Sequence, residues 1–270
     1  MRVIASVLFA LSALSAGAQQ QAQPARIQTL IITGQNRHDW RSVTPLLRKA
    51  LEDTGRFEVR VVEEFRGAGP ETLAPYELVV LNYENKNQDA LRWGERAERA
   101  LEDFVRAGKA LVIYHFTIAG FIGWTEFEKM AGGLWRPNNG HHSARHDFTV
   151  DIKDPDHPIT RGLKTSFLQP NDELYANLKW QPKENYRILA TAWDDHSLYK
   201  GKARQPIPGD GIHQPMLWTS NYGKGRVFVT VLGHDAPTVQ TPAFVVTFTR
   251  GAEWAVTGNV TLPVPPEMAK

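Results

Sequence analysis

Four unbroken apolar runs constrain this chain more than anything else in it. They are TLIITG ending at Gly34, LVVLN ending at Asn82, LVIYH ending at His115 and VFVTVLGH ending at His234. Runs of this length without alternation are the mark of strands buried on both faces, as in a parallel sheet. FEVRVVE, which alternates, adds a strand between the first two. Helical stretches lie between them. SVTPLLRKALEDTG carries Val43, Leu46, Leu47, Ala50 and Leu51 at helical spacing, with Gly55 as its stop. DALRWGERAERALEDFVRAGKA carries Leu91, Ala97, Leu101, Phe104 and Val105, and Gly108 caps it. Strand–helix–strand alternation of this kind predicts a parallel sheet covered on both faces, an α/β architecture.

The C-terminal half is less regular. WTEFEKMAGG predicts a short helix stopped by a glycine pair. RHDFTVDI, NDELYANL, YRILATAW and PMLWTSNYG add strand-like runs to the sheet, and SNYGKGR is a hairpin signal. TPAFVVTFTRGAEWAVTG reads as a closing helix despite its β-branched residues, because its apolar positions recur at three and four. KGKARQPIPGDG, Lys200 to Gly211, reads as an exposed loop.

The chain begins with a short basic start, an apolar run and Ala16-Gly17-Ala18, the small-residue pattern of a secretory signal peptide. The expectation is a signal peptide over residues 1–18, a flexible leader over 19–26 and a single domain over 27–263. The product would be exported, periplasmic or secreted, and soluble after cleavage. A formal charge of +2 with no basic stripe argues against nucleic acid. There are no cysteines, which excludes disulfides, thiolate metal sites and a cysteine nucleophile. Oligomeric state is left open.

Ligands of open α/β sheets bind at the carboxyl ends of the strands. Histidines fall at three of these ends: His38 after the first run, His115 after the fourth strand and His234 after the last. Neutral imidazole binds zinc and similar metals and also moves protons near neutral pH. A lone strand-end histidine is more often structural; three together favour a shared pocket. The third strand ends in NYEN, which offers Asn82, Tyr83 and Glu84 to the same rim. In NDELY, neighbouring strand residues face opposite ways, so only one of Asp172 and Glu173 points into the rim, and Glu173 is preferred. Within NNGHHSARHDFTV, His142 is the candidate. His157, in the turn sequence DPDHPIT, reads as structural. Trp40, Tyr83, Tyr114, Trp124 and Tyr175 lie near the rim, where aromatic faces either fill the core or stack on a sugar ring.

The first strand with His38, the strand-end His115, the segment from Asp154 to Tyr175 and GKGRVFVTVLGHD from Gly223 to Asp235 together resemble the trehalose-utilisation (ThuA-like) family. The resemblance covers nearly all of the chain beyond its first segment. It implies a flavodoxin-like fold similar to the class I glutamine amidotransferases, in which His115 takes the position of a nucleophile elbow. With no cysteine, glutaminase chemistry of that kind is excluded. The resemblance further implies carbohydrate metabolism on oxidised (3-keto) disaccharides or glycosides, and a divalent metal, zinc or similar, held by His38, His115, Glu173 and His234, with no nucleotide or flavin. His115, His234 and Glu173 are the expected catalytic residues. Asn82, Tyr83, Glu84, Trp124, His142 and Tyr175 are the expected contacts to a small carbohydrate substrate. Metal-assisted cleavage or isomerisation is the first expectation. A non-catalytic sugar- or partner-binding module and a metal-dependent ester or amide hydrolase are the alternatives.

Overall fold

The structure is a computed structural model describing residues 25–85, 92–199 and 211–270. The expected signal peptide, all but the end of the expected leader, Leu91 with the expected first turn of its helix, and most of the Lys200–Gly211 loop lie outside the described residues.

Thirteen strands occur in chain order among the described residues. They are β1 (Ile27–Ile32), β2 (Phe57–Val62), β3 (Leu78–Leu81), β4 (Ala110–Tyr114), β5 (Gly133–Leu134), β6 (His141–His142), β7 (His146–Ile152), β8 (Ser166–Asp172), β9 (Tyr175–Ala176), β10 (Lys179–Trp180), β11 (Tyr186–Trp193), β12 (His213–Tyr222) and β13 (Gly225–Thr230). The helices are α1 (Trp40–Glu52), α2 (Pro70–Leu73), α3 (Glu95–Arg106), α4 (Thr125–Ala131) and α5 (Pro242–Thr257). Nine strands form one sheet in the order β2-β1-β3-β4-β13-β12-β11-β7-β8. The five from β2 to β13 are all parallel, and the other four extend the sheet antiparallel. β6 and β9 make a separate two-residue ribbon, as do β10 and β5.

The unbroken apolar runs are buried along their whole length in β3 and β4. Each fully buried Val, Leu or Ile contributes about 1.5–3 kcal/mol. The winding direction reverses after β2: β1 leads outward to β2, and β2 leads back across β1 to β3. Since parallel crossovers are right-handed, this reversal puts α1 on one face and α2 and α3 on the other. A crevice opens at such a reversal, outside the carboxyl ends of β1 and β3.

The helix ends follow from local chemistry. Asp39 caps α1 by accepting the Ser42 N–H at 3.2 Å. Thr241 caps α5, Pro242 occupies its first turn, and Gly258 ends it at φ 76°. Thr247 and Thr249 in α5 return their hydroxyls to the carbonyls of Ala243 and Val245, each at 2.8 Å. That satisfies the polar atoms of a helix buried on nearly all sides.

Two local features depart from the sequence reading. NDELY is not the start of a strand: β8 ends at Asp172, Glu173 and Leu174 lie outside any strand, and the two-residue β9 follows. Asn171 at φ 46° makes the turn, a conformation Asn tolerates better than most residues. His115 lies just beyond β4, at φ 47°, as the first residue of a short 3₁₀ turn.

Candidate metal centre

Four chain segments deliver four side chains to the carboxyl edge of the sheet. His38 comes from the loop between β1 and α1, His115 from the turn after β4, Glu173 from the turn after β8 and His234 from the loop after β13. One ligand atom from each lies within 4.8 Å of all the others. The three imidazoles stand edge to face, with ring centroids 4.8 Å apart for His38–His115, 4.5 Å for His38–His234 and 5.7 Å for His115–His234. Glu173 is at the centre. Its Oε2 lies 3.1 Å from His234 Nδ1, 3.6 Å from His38 Nε2 and 3.8 Å from His115 Nε2.

The tautomers follow from the acceptors behind the rings. His115 Nδ1 is 2.7 Å from the Val231 carbonyl, which can only accept, so Nδ1 carries the proton. The Nε2 lone pair therefore faces Glu173, and the Tyr175 hydroxyl donates to it at 3.2 Å. Asn36 Oδ1 accepts from both the backbone N–H of His38, at 3.0 Å, and its Nδ1, at 3.3 Å. This leaves His38 Nε2 as the basic nitrogen. An acceptor on the far nitrogen is the usual support of a metal-binding imidazole. Burial, then the adjacent His38, push the His115 pKa far below its ordinary value, so the ring stays neutral. Burial alone would raise Glu173, but His234, His38, His115 and His142 around it outweigh that and hold its carboxyl well below the usual range. Burial also pushes the Tyr175 phenol well up, with Glu173 and Asp172 adding to the effect.

The donor set fits a divalent metal. Three nitrogens and a carboxylate suit zinc or its first-row neighbours. Glu173 Oε2 and His234 Nδ1 are buried and lack a hydrogen-bond partner among the described residues. A buried, unpartnered polar atom is costly, and a shared cation would satisfy both.

His38, His115, Glu173 and His234 are thus brought together as expected. His142 joins at the edge: Nδ1 lies 3.5 Å from Glu173 Oε1, and its side chain is 39% exposed, against 1% for His115. Tyr175 packs beside His115. Trp135, not singled out from sequence, stands against both His142 and Tyr175, at 5.8 and 5.5 Å between centroids. Phe116 lies 4.9 Å from His38. Asn82 acts one layer back, accepting from Asn36 Nδ2 at 3.1 Å and donating to Thr44 at 3.0 Å.

The remaining candidates make other contacts. Tyr83 and Trp124 belong to an aromatic cluster with Trp93 and Phe121. Trp124 Nε1 donates to Glu102 at 2.6 Å. Glu84 is buried, and its backbone N–H bonds the Gln35 carbonyl. Trp40 is buried on α1. His157 packs on Trp254 and accepts the Ile159 N–H, a structural role as read from its turn sequence. Sequence reasoning missed Asn36, whose one signal was its place two residues before His38. It also passed over Asp172, two of whose partners, Gly233 and His234, are more than sixty residues away.

Comparison with known proteins agrees with this fold. A family model described as trehalose utilisation (ThuA) matches residues 28–255. The crystal structure of a ThuA-like protein from Parabacteroides merdae is 31% identical, with a TM-score of 0.78 over 91% of this chain and 95% of that one. A ThuA-like protein from Bacteroides uniformis, 16% identical, superposes with a TM-score of 0.65 over 89% of this chain and 98% of its own. A cytoplasmic protein of Salmonella typhimurium LT2, 14% identical, reaches 0.57 over 85% and 99% and shares the fold. No protein with a curated description matches the chain. With the family model spanning most of its length and a ThuA-like structure nearly a third identical, the chain belongs to the ThuA family, whose theme is carbohydrate utilisation.

Proposed function

We propose that this protein is an exported carbohydrate-active enzyme that cleaves or isomerises a keto-glycoside with the help of a divalent metal. The observation that carries the proposal is the buried group of three imidazoles around one carboxylate, with two orphaned polar atoms turned toward each other. His38, His115, Glu173 and His234 would hold the metal. When bound, it would polarise a substrate carbonyl and so acidify the neighbouring C–H. Glu173, ringed by imidazoles, serves as a ligand rather than as a base. His142 is the histidine of this group most open to solvent, so it moves protons between substrate and solvent. Tyr175, kept protonated by burial, would turn its hydroxyl from His115 Nε2 to a developing or departing oxygen once a metal takes that lone pair. Trp135 and Phe116 supply apolar faces that stack on a sugar ring and keep water out. The small-residue pattern at Ala16-Gly17-Ala18 supports export.

The test is metal content by elemental mass spectrometry on untagged protein purified without chelators, followed by turnover of 3-keto-glycosides. Near-stoichiometric metal, lost together with turnover in His115→Ala, is the expected result. Metal-free protein after reconstitution would sink the proposal. Metal retention with binding but no turnover across keto-glycosides would turn the reading toward a sugar-binding module.

A further inference from the structure

The residues immediately before two of the four ligands converge on the turn that carries a third. Asp172 precedes Glu173 and Tyr114 precedes His115, and both reach the Gly233–His234 turn, Asp172 from the end of β8 and Tyr114 from β4, the neighbour of β13. Asp172 is fully buried. Its Oδ2 accepts the Gly233 N–H at 2.7 Å and Gln169 Nε2 at 2.8 Å; its Oδ1 accepts the Glu173 N–H at 2.8 Å and the His234 N–H at 3.1 Å. One carboxylate thus binds the backbone of Glu173 and of His234 at once. From the other side, the Tyr114 hydroxyl donates to the Gly233 carbonyl. Gly233 itself has φ 98°, and a Cβ there would lie 2.6 Å from the Phe244 ring. The turn therefore has little freedom in any direction.

We infer that Asp172, assisted by Tyr114, is a positioning residue that sets Glu173 and His234 in register before any metal arrives. This rests on the metal reading of the cluster, which it deepens. Glu173 and His234 come from turns 61 residues apart in sequence, and neither turn is part of the sheet ladder. Without a shared acceptor, each backbone would settle by its own loop preferences. With it, the amides of both residues point at a single carboxylate, which fixes the directions in which their side chains leave. A carboxylate serves here where an amide cannot, because all four surrounding groups are donors. An asparagine would present its own NH₂ to at least one of them.

The experiment compares wild type with Asp172→Asn and Tyr114→Phe, using cobalt(II) as the probe. It reads cobalt affinity and d–d absorption, together with amide hydrogen exchange resolved at Gly233 and His234. In Asp172→Asn, cobalt affinity should fall by about 10–100-fold, as for other supports of metal ligands. The d–d spectrum should change, and exchange at the two amides should rise while the core strands stay protected. Tyr114→Phe keeps the ring and loses the hydroxyl, so it should show the same signature more weakly. It also carries the test if Asp172→Asn does not fold. A lower melting temperature with unchanged affinity and unchanged local exchange would overturn the inference, because that is all a purely structural residue would give. If wild type takes no cobalt, the metal reading itself has failed. The exchange data then decide the role of Asp172: selective loss of protection at Gly233 and His234 upholds it as the positioning residue, and unaltered protection removes it.

Discussion

Stability should depend on pH through His157, which belongs to the structural histidines and not to the cluster. His157 sits in the DPDHPIT turn, 5% exposed, with its ring 4.9 Å from Trp254 and Nδ1 accepting the Ile159 N–H at 3.3 Å. Burial, reinforced by the nearby Arg187 and only partly opposed by Asp154, lowers its pKa from 6.5 to about 4. The folded state therefore binds this proton more weakly than the unfolded chain. Above pH 6.5 neither state is protonated and the turn costs nothing. As pH falls from 6.5 to about 4 the unfolded chain gains a proton that the native ring refuses, and stability drops. Below about 4 the loss is complete, and amounts to about 3 kcal/mol. His157→Asn keeps an acceptor for Ile159 and cannot titrate. Urea unfolding of both proteins should be followed at pH 7.5, 5.5 and 4. The variant should be less stable at pH 7.5, having lost ring packing, and the gap should close or invert by about 3 kcal/mol at pH 4. Parallel curves for the two proteins would refute the reasoning, since the titration would then belong to other groups.

Arg250, 5% exposed, donates to the carbonyls of Pro158, Ile159, Arg161 and Leu262, so Arg250→Met should cost about 3–5 kcal/mol in urea unfolding. A loss below about 1 kcal/mol would show those carbonyls to be satisfied otherwise. Gly233→Ala forces a side chain into the left-handed region and against Phe244. It should lower stability by roughly 1–3 kcal/mol and weaken cobalt binding at the same time; retention of wild-type affinity would argue against a rigid turn. Zinc at about a hundredfold excess over its Kd should raise stability by about 2.7 kcal/mol in wild type and by far less in Glu173→Gln. Equal stabilisation of the two proteins would place the metal elsewhere.

The histidines of the cluster were legible because two independent rules meet at them. Unbroken apolar runs identify strands buried on both faces, and the carboxyl ends of such strands form the ligand rim. His115 and His234 satisfy both by position alone. The expectation that only one of Asp172 and Glu173 enters the rim rested on a strand start that is not there; the turn after β8 nonetheless brings Glu173 into the cluster and leaves Asp172 behind it. Tyr83 and Trp124 show where the rules stop. They are close in sequence to a rim segment, but sequence gives no direction for a side chain outside regular structure, and both are taken up by packing against Trp93 and Phe121. The clamp made by Asp172 had no local signal. Its partners Gly233 and His234 follow β13, which stands four places from β8 in the sheet, so their meeting with Asp172 is a consequence of tertiary folding and not of local pattern.

The same distinction explains why the elbow at His115 can work without a nucleophile. A strand that enters a 3₁₀ turn through one residue at φ 47° throws that side chain out of the sheet and over its edge. The left-handed conformation costs on the order of 1 kcal/mol or more for a residue other than glycine. Here the strained residue recovers part of that cost through the bond from Nδ1–H to the Val231 carbonyl, on the strand's own neighbour in the sheet. That bond also dictates which nitrogen faces Glu173. A cysteine at an elbow is useful because it is exposed to a substrate. An imidazole there, 1% exposed and locked in one tautomer, is useful because its remaining lone pair is aimed at a fixed point. The fold supplies a backbone device for presenting one side chain at the sheet edge; the residue placed on it decides whether that side chain attacks or coordinates.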